Sequence, residues 1–414
     1  MKKKEWDLVI VGGGPGSMAL ALSLDQKGYR IAILDRQSSP VSYPRGEIVQ
    51  PNSLKILETL GLLTELLKDD IHLNKAVHFY QMTGTHLCTV NYQTLPKPYD
   101  YSLILLPKTI QKILIERVAA SSNIEMFWGA RFENLFMERG NVIGAEVTTH
   151  EERTLFKAPI IVGGDGVRSR VRDAFHIKYR LHQYKHGYIT GIITRPEGFH
   201  EDSRYYLGKG KIFGLFPVSK QECYFFYLLP FNKLEEFQKQ GIQRFKDDLL
   251  SMNDPVRSFL EKPLEGISSW EETSFMPCFR VRCDQWVVDG GVLLGDAAHA
   301  MNPHVAQGRN SAMEDGVVLA EILDNCFQKG DFSRKALQPY EMIRRKKIDL
   351  LQDLGDEMAW LWNSGWGPLV WARDRIFRTI GRNPNLHAKM LTTISGLEMC
   401  PFTLYDRWRA LHLF

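Results

Sequence analysis

The chain has 414 residues, 44% of them apolar and 24% charged, the make-up of an ordinary globular protein long enough for two or three domains. Its net charge of +4 is mild and no long basic run accompanies it, which argues against nucleic acid as a partner. No stretch reaches the roughly 18 uninterrupted apolar residues that a membrane span needs.

The start, MKKKEWDLVIVGGGPGS, is basic, but its apolar run is only LVIV before the glycines. That is too short for a signal peptide and reads as a first strand at Leu8–Val11. A helix follows, carried by Ala19, Ala21 and Leu24, and then a second strand, IAIL, ending at Asp35. This is a βαβ unit. Gly12 and Gly14 take the first two places of the dinucleotide fingerprint, where a tight turn and close backbone approach to a pyrophosphate are needed. Pro15 and Gly16 follow, and Ser17 replaces the third glycine, whose role is close helix–strand packing. Asp35 lies 23 residues beyond Gly12, near the spacing of about 20 expected of an acid that binds a ribose diol, and Arg36 stands beside it. Arg45 sits on a turn between Pro44 and Gly46, as a phosphate-binding or a solvated arginine would. Pro51 and Asn52 then open a helix with Leu54, Leu57 and Leu60 on one face, stopped by Gly61.

Two strand-like runs about a turn occupy VIGAEVTTHEERTLFKAPIIVGGDG, and a helix starts at Ser169 to Arg172. Asp165 again follows a buried strand, as a ligand contact or a helix cap. At 76–100 and 179–275 the texture changes to aromatic and β-branched runs such as VHFYQ, SRYYL, KIFGLFPV and ECYFFYLL, which predict an antiparallel sheet. FNKLEEFQKQGIQRFKDDLLSM is helical by its pattern. The six cysteines, scattered with no CxxC pair, point to a reducing, cytoplasmic compartment with no disulfide and no metal site.

The stretch GDAAHAMNPHVAQGRNSAMEDG at 295–316 follows a buried strand, VLL. Asp296 stands at the strand's C-terminal mouth, where open α/β sheets bind ligands. Ala297, Ala298 and Ala300 keep side chains clear, and Pro303 stiffens the turn. Gly308, Arg309 and Asn310 lead into a helix whose positive end favours negative charge. The C-terminal segment then interleaves Trp360, Trp362, Trp366 and Trp371 with Arg373, Arg375 and Arg378. This is the pattern of a helix packed on the nucleotide-binding domain or of a peripheral membrane contact.

Three motifs in order, GGGPGS at 12–17, GGDGVRSRVR at 163–172 and GDAAHAMNPHVAQGRN at 295–310, resemble those of single-component, para-hydroxybenzoate-hydroxylase-like flavoprotein monooxygenases, and together they span most of residues 1–345. The resemblance implies an α/β fold. A discontinuous Rossmann-like FAD-binding domain (1–75, 101–178 and 276–345) interleaves with a substrate-binding sheet domain (76–100 and 179–275), ahead of a helical region at 346–414. It also implies that Gly12, Gly14, Pro15, Gly16 and Ser17 hold the FAD pyrophosphate and that Asp35 and Arg36 lie at the adenosine. Arg45, Gln111, Asp165 and Asp296 would contact the cofactor, Pro303 would lie by the flavin's reactive edge, and Gly308, Arg309 and Asn310 by its N1–C2=O edge. Two departures stand out: Pro107 where the family commonly has an arginine, and the bulk of Arg309. The implied chemistry is reduction of FAD by NAD(P)H, addition of O₂, and transfer of one oxygen from the flavin hydroperoxide to an electron-rich aromatic, phenolic or quinol-like substrate. Tyr205, Phe213, Phe216, Pro217, Tyr224 and Phe226 are candidates to line the substrate, and Tyr206 or His186 to handle a phenolic proton. A flavin-dependent reductase of isoprenoid or quinone substrates, and a non-catalytic flavin-binding module, are the alternatives. The WxWxIP signature of flavin-dependent halogenases is missing.

Overall fold

A computed structural model of the chain describes residues 2–40, 44, 46–149, 152–199, 202–251 and 256–411. Leu8–Val11 is buried along its whole length. A continuous apolar run of this kind suits a central strand covered on both faces. It lies inside a six-stranded sheet, between Ile161–Gly163 and Ile31–Asp35. Ile124–Trp128 extends the sheet on one side and Gly291–Leu293 on the other, all parallel, and the short strand Val287–Val288 closes it antiparallel. This is the expected α/β, Rossmann-like arrangement.

The helix Pro15–Asp25 crosses the long helix Gly308–Lys329 at two glycines. A Cβ on Gly316 would lie 2.4 Å from the Gly16 carbonyl oxygen and 2.7 Å from the Leu20 nitrogen. Met313, Leu319, Ala320 and Leu323 bury the same face, while Val317 and Ile322 are half-buried. The two helices that carry the glycine turn and the GDAAH segment are therefore locked backbone to backbone.

The seven-stranded sheet draws on Ala76–Gln81, His86–Asn91 and five strands between Tyr179 and Cys283, so its last strand, Thr273–Cys283, runs beyond residue 275. It is antiparallel except where Ser203–Leu207 runs parallel to Ala76–Gln81. One face carries the helices Phe231–Gln240, Ile242–Leu250 and Val256–Leu264, packed through Phe237, Phe245, Leu249 and Leu260. The first two are separate helices because Gly241 turns the chain at φ +88°. The other face looks towards the six-stranded sheet.

Lys2–Glu5 forms a strand parallel to Glu152–Lys157 at the edge of a four-stranded sheet. KKKE has no apolar period to announce it; a short lysine-rich strand is a common way to blunt a sheet edge. The C-terminal region holds the helices Arg334–Trp362, Gly367–Arg382, Pro384–Ser395 and Leu404–Leu411. Among the described residues no helix is long and apolar enough to cross a membrane. All six cysteines are free thiols, five of them buried.

Candidate active site

The glycine turn after Leu8–Val11 forms one end of a cavity of about 600 Å³. Gly12 has φ +102°, and a Cβ there would sit 2.3 Å from the Gly164 carbonyl oxygen. Only glycine lets the turn press against the end of the neighbouring strand. Gly14, Pro15, Gly16 and Ser17 line the cavity. No side chain caps the helix that begins at Pro15, so its first N–H groups are available to an anion. Ser17 Oγ is buried there with no hydrogen-bond partner in the protein. An orphaned hydroxyl beside an uncapped helix start is what a bound pyrophosphate would complete. The residues present fit FAD.

Asp35 braces the turn: Oδ2 accepts the Gly13 N–H at 2.8 Å and Oδ1 the Gln37 N–H at 2.8 Å. A carboxylate has acceptor capacity beyond these two bonds. Arg36 is exposed beside it, and Arg45 lies outside the described residues. Gln111 is half-buried on the helix Pro107–Ala119, outside the cavity lining; Pro107 occupies that helix's first turn. Asp165 is turned away from the cavity, although Gly164 and Gly166 line it. Its Oδ1 accepts from Ser169 Oγ at 2.5 Å, and its Oδ2 from the N–H groups of Arg170 at 2.7 Å and Val171 at 3.2 Å. The start of the helix Arg170–Ala174 thus takes up this carboxylate, as capping aspartates do.

The far wall is the GDAAH segment. Gly295, Asp296, Pro303, Gly308, Arg309 and Asn310 all line the cavity. A buried ionic cluster holds them. Asp315 Oδ2 accepts the Gly295 N–H at 3.0 Å and lies 2.6 Å from His299 Nε2, and Oδ1 accepts from Arg344 Nε at 2.7 Å. Burial alone would raise the Asp315 carboxyl, but His299 and Arg344 outweigh it and hold it below the usual range. Asn310 stitches the helix start to the neighbouring strand: Oδ1 accepts the Gln50 N–H at 3.0 Å, and Nδ2 donates to the Ile48 carbonyl at 3.1 Å. Arg309 pairs with Glu47 across the lining, so its bulk is tied to the opposite wall.

The aromatic sheet closes the cavity through Tyr188, Tyr205, Tyr224 and Phe226, with Trp362 from the C-terminal region. Of the residues expected to line the substrate, Tyr205, Tyr224 and Phe226 are in the lining. Phe216 is on the same side but one layer back, its ring 5.6 Å from Phe226 and 5.2 Å from Tyr205. Phe213 and Pro217 alternate with Ile212 and Phe216 along one strand and so take the other face, where Phe213 packs among the helices. Tyr206 goes to that face for the same reason. His186 is half-buried further along its strand, beside a register shift, and outside the lining.

Tyr188 and His304, not singled out from the sequence, take the polar place expected of Tyr206 and His186. Tyr188 Oη lies 3.1 Å from His304 Nδ1, and His304 Nε2 lies 2.9 Å from Asn363 Oδ1. Burial pushes the His304 imidazole down to about 4. The ring is therefore neutral near pH 7 and too weak a base to hold a phenolic proton. Asn302 Oδ1, 2.5 Å from Nδ1, is engaged with the backbone N–H of His304 at 3.1 Å. The Tyr188 hydroxyl lines the cavity and lies in hydrogen-bond reach of the neutral ring. The one sequence signal was position: His304 stands next to Pro303 inside the most diagnostic motif.

A family model described as an FAD binding domain matches residues 5–353. Among curated proteins, the chain is 26% identical over 347 residues to 6-methylpretetramide 4-monooxygenase of Streptomyces rimosus, covering 83% of this chain and 81% of that one. It is 26% identical over 372 residues to 6-hydroxynicotinate 3-monooxygenase of Pseudomonas fluorescens, with 86% and 91% covered. Among solved structures, PqsL of Pseudomonas aeruginosa in complex with 2-aminobenzoylacetate superposes with a TM-score of 0.78 at 20% identity, covering 87% of this chain and 97% of that one. That last likeness is one of fold.

Proposed function

The chain belongs to the FAD-binding-domain family, and from that membership we propose that it hydroxylates a flat, largely apolar aromatic that carries a hydroxyl group. It is an FAD-dependent monooxygenase, with NAD(P)H and O₂ as co-substrates. The observation that carries the substrate reading is a single cavity. It runs without interruption from the Gly14–Ser17 turn, past Asp296 and Pro303, to the aromatic roof of Tyr205, Tyr224 and Phe226.

Bound FAD would supply the oxygen-activating chemistry; the protein supplies position. Ser17 and the N–H groups after Gly14 hold the pyrophosphate, with Asp35 at the ribose. Asp296 holds the middle of the cofactor, and Pro303 and the Gly308–Asn310 turn border its reactive end. The aromatic rings sandwich the substrate and exclude water, which protects a reactive oxygen donor from loss. The Tyr188 hydroxyl hydrogen-bonds the substrate's hydroxyl, and His304 is the positioning residue that aims Tyr188. Residues 1–75, 101–178 and 284–345 form the cofactor half in this reading, the strand Thr273–Cys283 belonging to the substrate sheet. The free cysteines favour a reducing, cytoplasmic compartment, and the C-terminal Trp/Arg segment supports a peripheral contact with a membrane.

The test is oxidation of NAD(P)H by the FAD-loaded protein with a panel of phenols, quinols and polycyclic aromatics. At least one hydroxylated ring should stimulate oxidation well above the basal rate. A protein that holds FAD yet responds to none of them would be a non-catalytic flavin-binding module.

A further inference from the structure

The geometry points to an anionic phospholipid surface as the partner of the C-terminal helices, docked through a tryptophan- and arginine-rich face. The inference rests on the largely apolar aromatic substrate proposed above and adds the surface and its chemistry. Among the described residues, every exposed tryptophan falls in this region: Trp360, Trp366, Trp371 and Trp408 are each more than half exposed, as are Tyr405 and Leu404. Soluble proteins seldom leave so many large rings in water without a use. The elements that carry them are neighbours. Ala410 of the last helix packs with Ile376 and Ile380 of Gly367–Arg382, and Arg375 Nε donates to the Leu411 carbonyl.

Charge decides between partners. Residues 360–411 hold seven Lys/Arg against three Asp/Glu. Ion pairs with Asp374, Asp406 and Glu357 take up Arg373, Lys389 and Arg407, which leaves Arg375, Arg378, Arg382 and Arg409 against Glu398. Arg375 and Arg409 lie against the rings of Trp371 and Tyr405, at 5.4 and 5.6 Å. Amphipathic rings flanked by cations suit the headgroup layer of an anionic bilayer. The same chain segment also reaches the cavity: buried Trp362 lines it, at the end of the helix that carries exposed Trp360. Asn363 ties that same corner to His304, and the Ser364 carbonyl accepts the Gly210 N–H from the sheet.

The test uses the FAD-loaded full chain with vesicles of phosphatidylcholine alone or with about one third phosphatidylglycerol, read by co-sedimentation and tryptophan emission. Binding should be at least tenfold stronger to the anionic vesicles, with a blue-shifted emission, and should fall in high salt. Trp371→Ser combined with Trp408→Ser should weaken it at least tenfold. Arg378→Gln combined with Arg409→Gln should remove most of the preference for anionic lipid. FAD content and substrate-stimulated NAD(P)H oxidation without vesicles should stay unchanged in both variants, so loss of docking and failure of the catalytic reading are separate results. No partition into anionic vesicles, or partition unaffected by the tryptophan changes, overturns the inference. So does a concentration-dependent dimer lost in the tryptophan variant without vesicle binding, which would assign the face to a second copy.

Discussion

Replacing His304 with glutamine isolates the buried imidazole on which the substrate end of the cavity is built. Its ordinary value is 6.5, and burial brings it to about 4 in the folded protein. The unfolded chain therefore takes up a proton at this site between those two values, while the folded protein does not. Stability is unaffected by the group above about pH 6.5 and falls as pH drops through the window, levelling off below about pH 4. At 1.36 kcal/mol per unit, the loss is about 2 kcal/mol near pH 5 and approaches roughly 3 kcal/mol at the plateau. The substitution also changes packing and hydrogen bonds, but that cost is nearly the same at both pH values. The assay is urea unfolding of both proteins, FAD-loaded, at about pH 8 and about pH 5. The wild type should lose about 2 kcal/mol more than His304→Gln between the two. Equal losses would mean that the ring is solvated or already charged, and the aimed Tyr188 oxygen would lose its basis.

Three further outcomes follow from the same geometry. Tyr188→Phe removes the hydroxyl while keeping the ring, so kcat/KM for a hydroxylated substrate should fall by about tenfold, the equivalent of one hydrogen bond; steady-state kinetics should show no such loss for the same ring without its hydroxyl. Ser17→Ala removes the orphaned hydroxyl at the cofactor end and should weaken FAD by about tenfold in equilibrium dialysis; unchanged affinity would place the pyrophosphate elsewhere. Arg344→Met removes the arginine partner of the buried Asp315, a change that costs about 3–5 kcal/mol and should show as a marked drop in the urea midpoint.

The nucleotide-binding half was legible because its features are local. The turn from Gly12 to Ser17 and the acid at Asp35 lie within one βαβ unit, and the strand Leu8–Val11 is buried throughout. The GDAAH segment was legible for the same reason. Its support was not: Asp315, on the long helix that follows, joins Gly295 and His299 of that segment to Arg344 on the helix Arg334–Trp362. The substrate half was harder to read. A uniformly apolar strand such as IFGLFP is buried on both faces, so composition cannot say which face meets the cavity. Register decides it, sending Tyr205 and Phe216 one way and Tyr206 and Phe213 the other. For Asp165 the sequence left two readings, because a carboxylate after a buried strand serves a helix start as well as it serves a ligand; its bonds run to the helix start.

The central claim is that one oxygen atom from O₂ enters an aromatic product. The most direct measurement is turnover under ¹⁸O₂ of whichever phenol, quinol or polycyclic aromatic most stimulates NAD(P)H oxidation, followed by mass spectrometry of the product. One ¹⁸O atom per product molecule is the predicted result. Turnover that yields a product without the label would contradict the account and identify the protein as a flavin-dependent reductase.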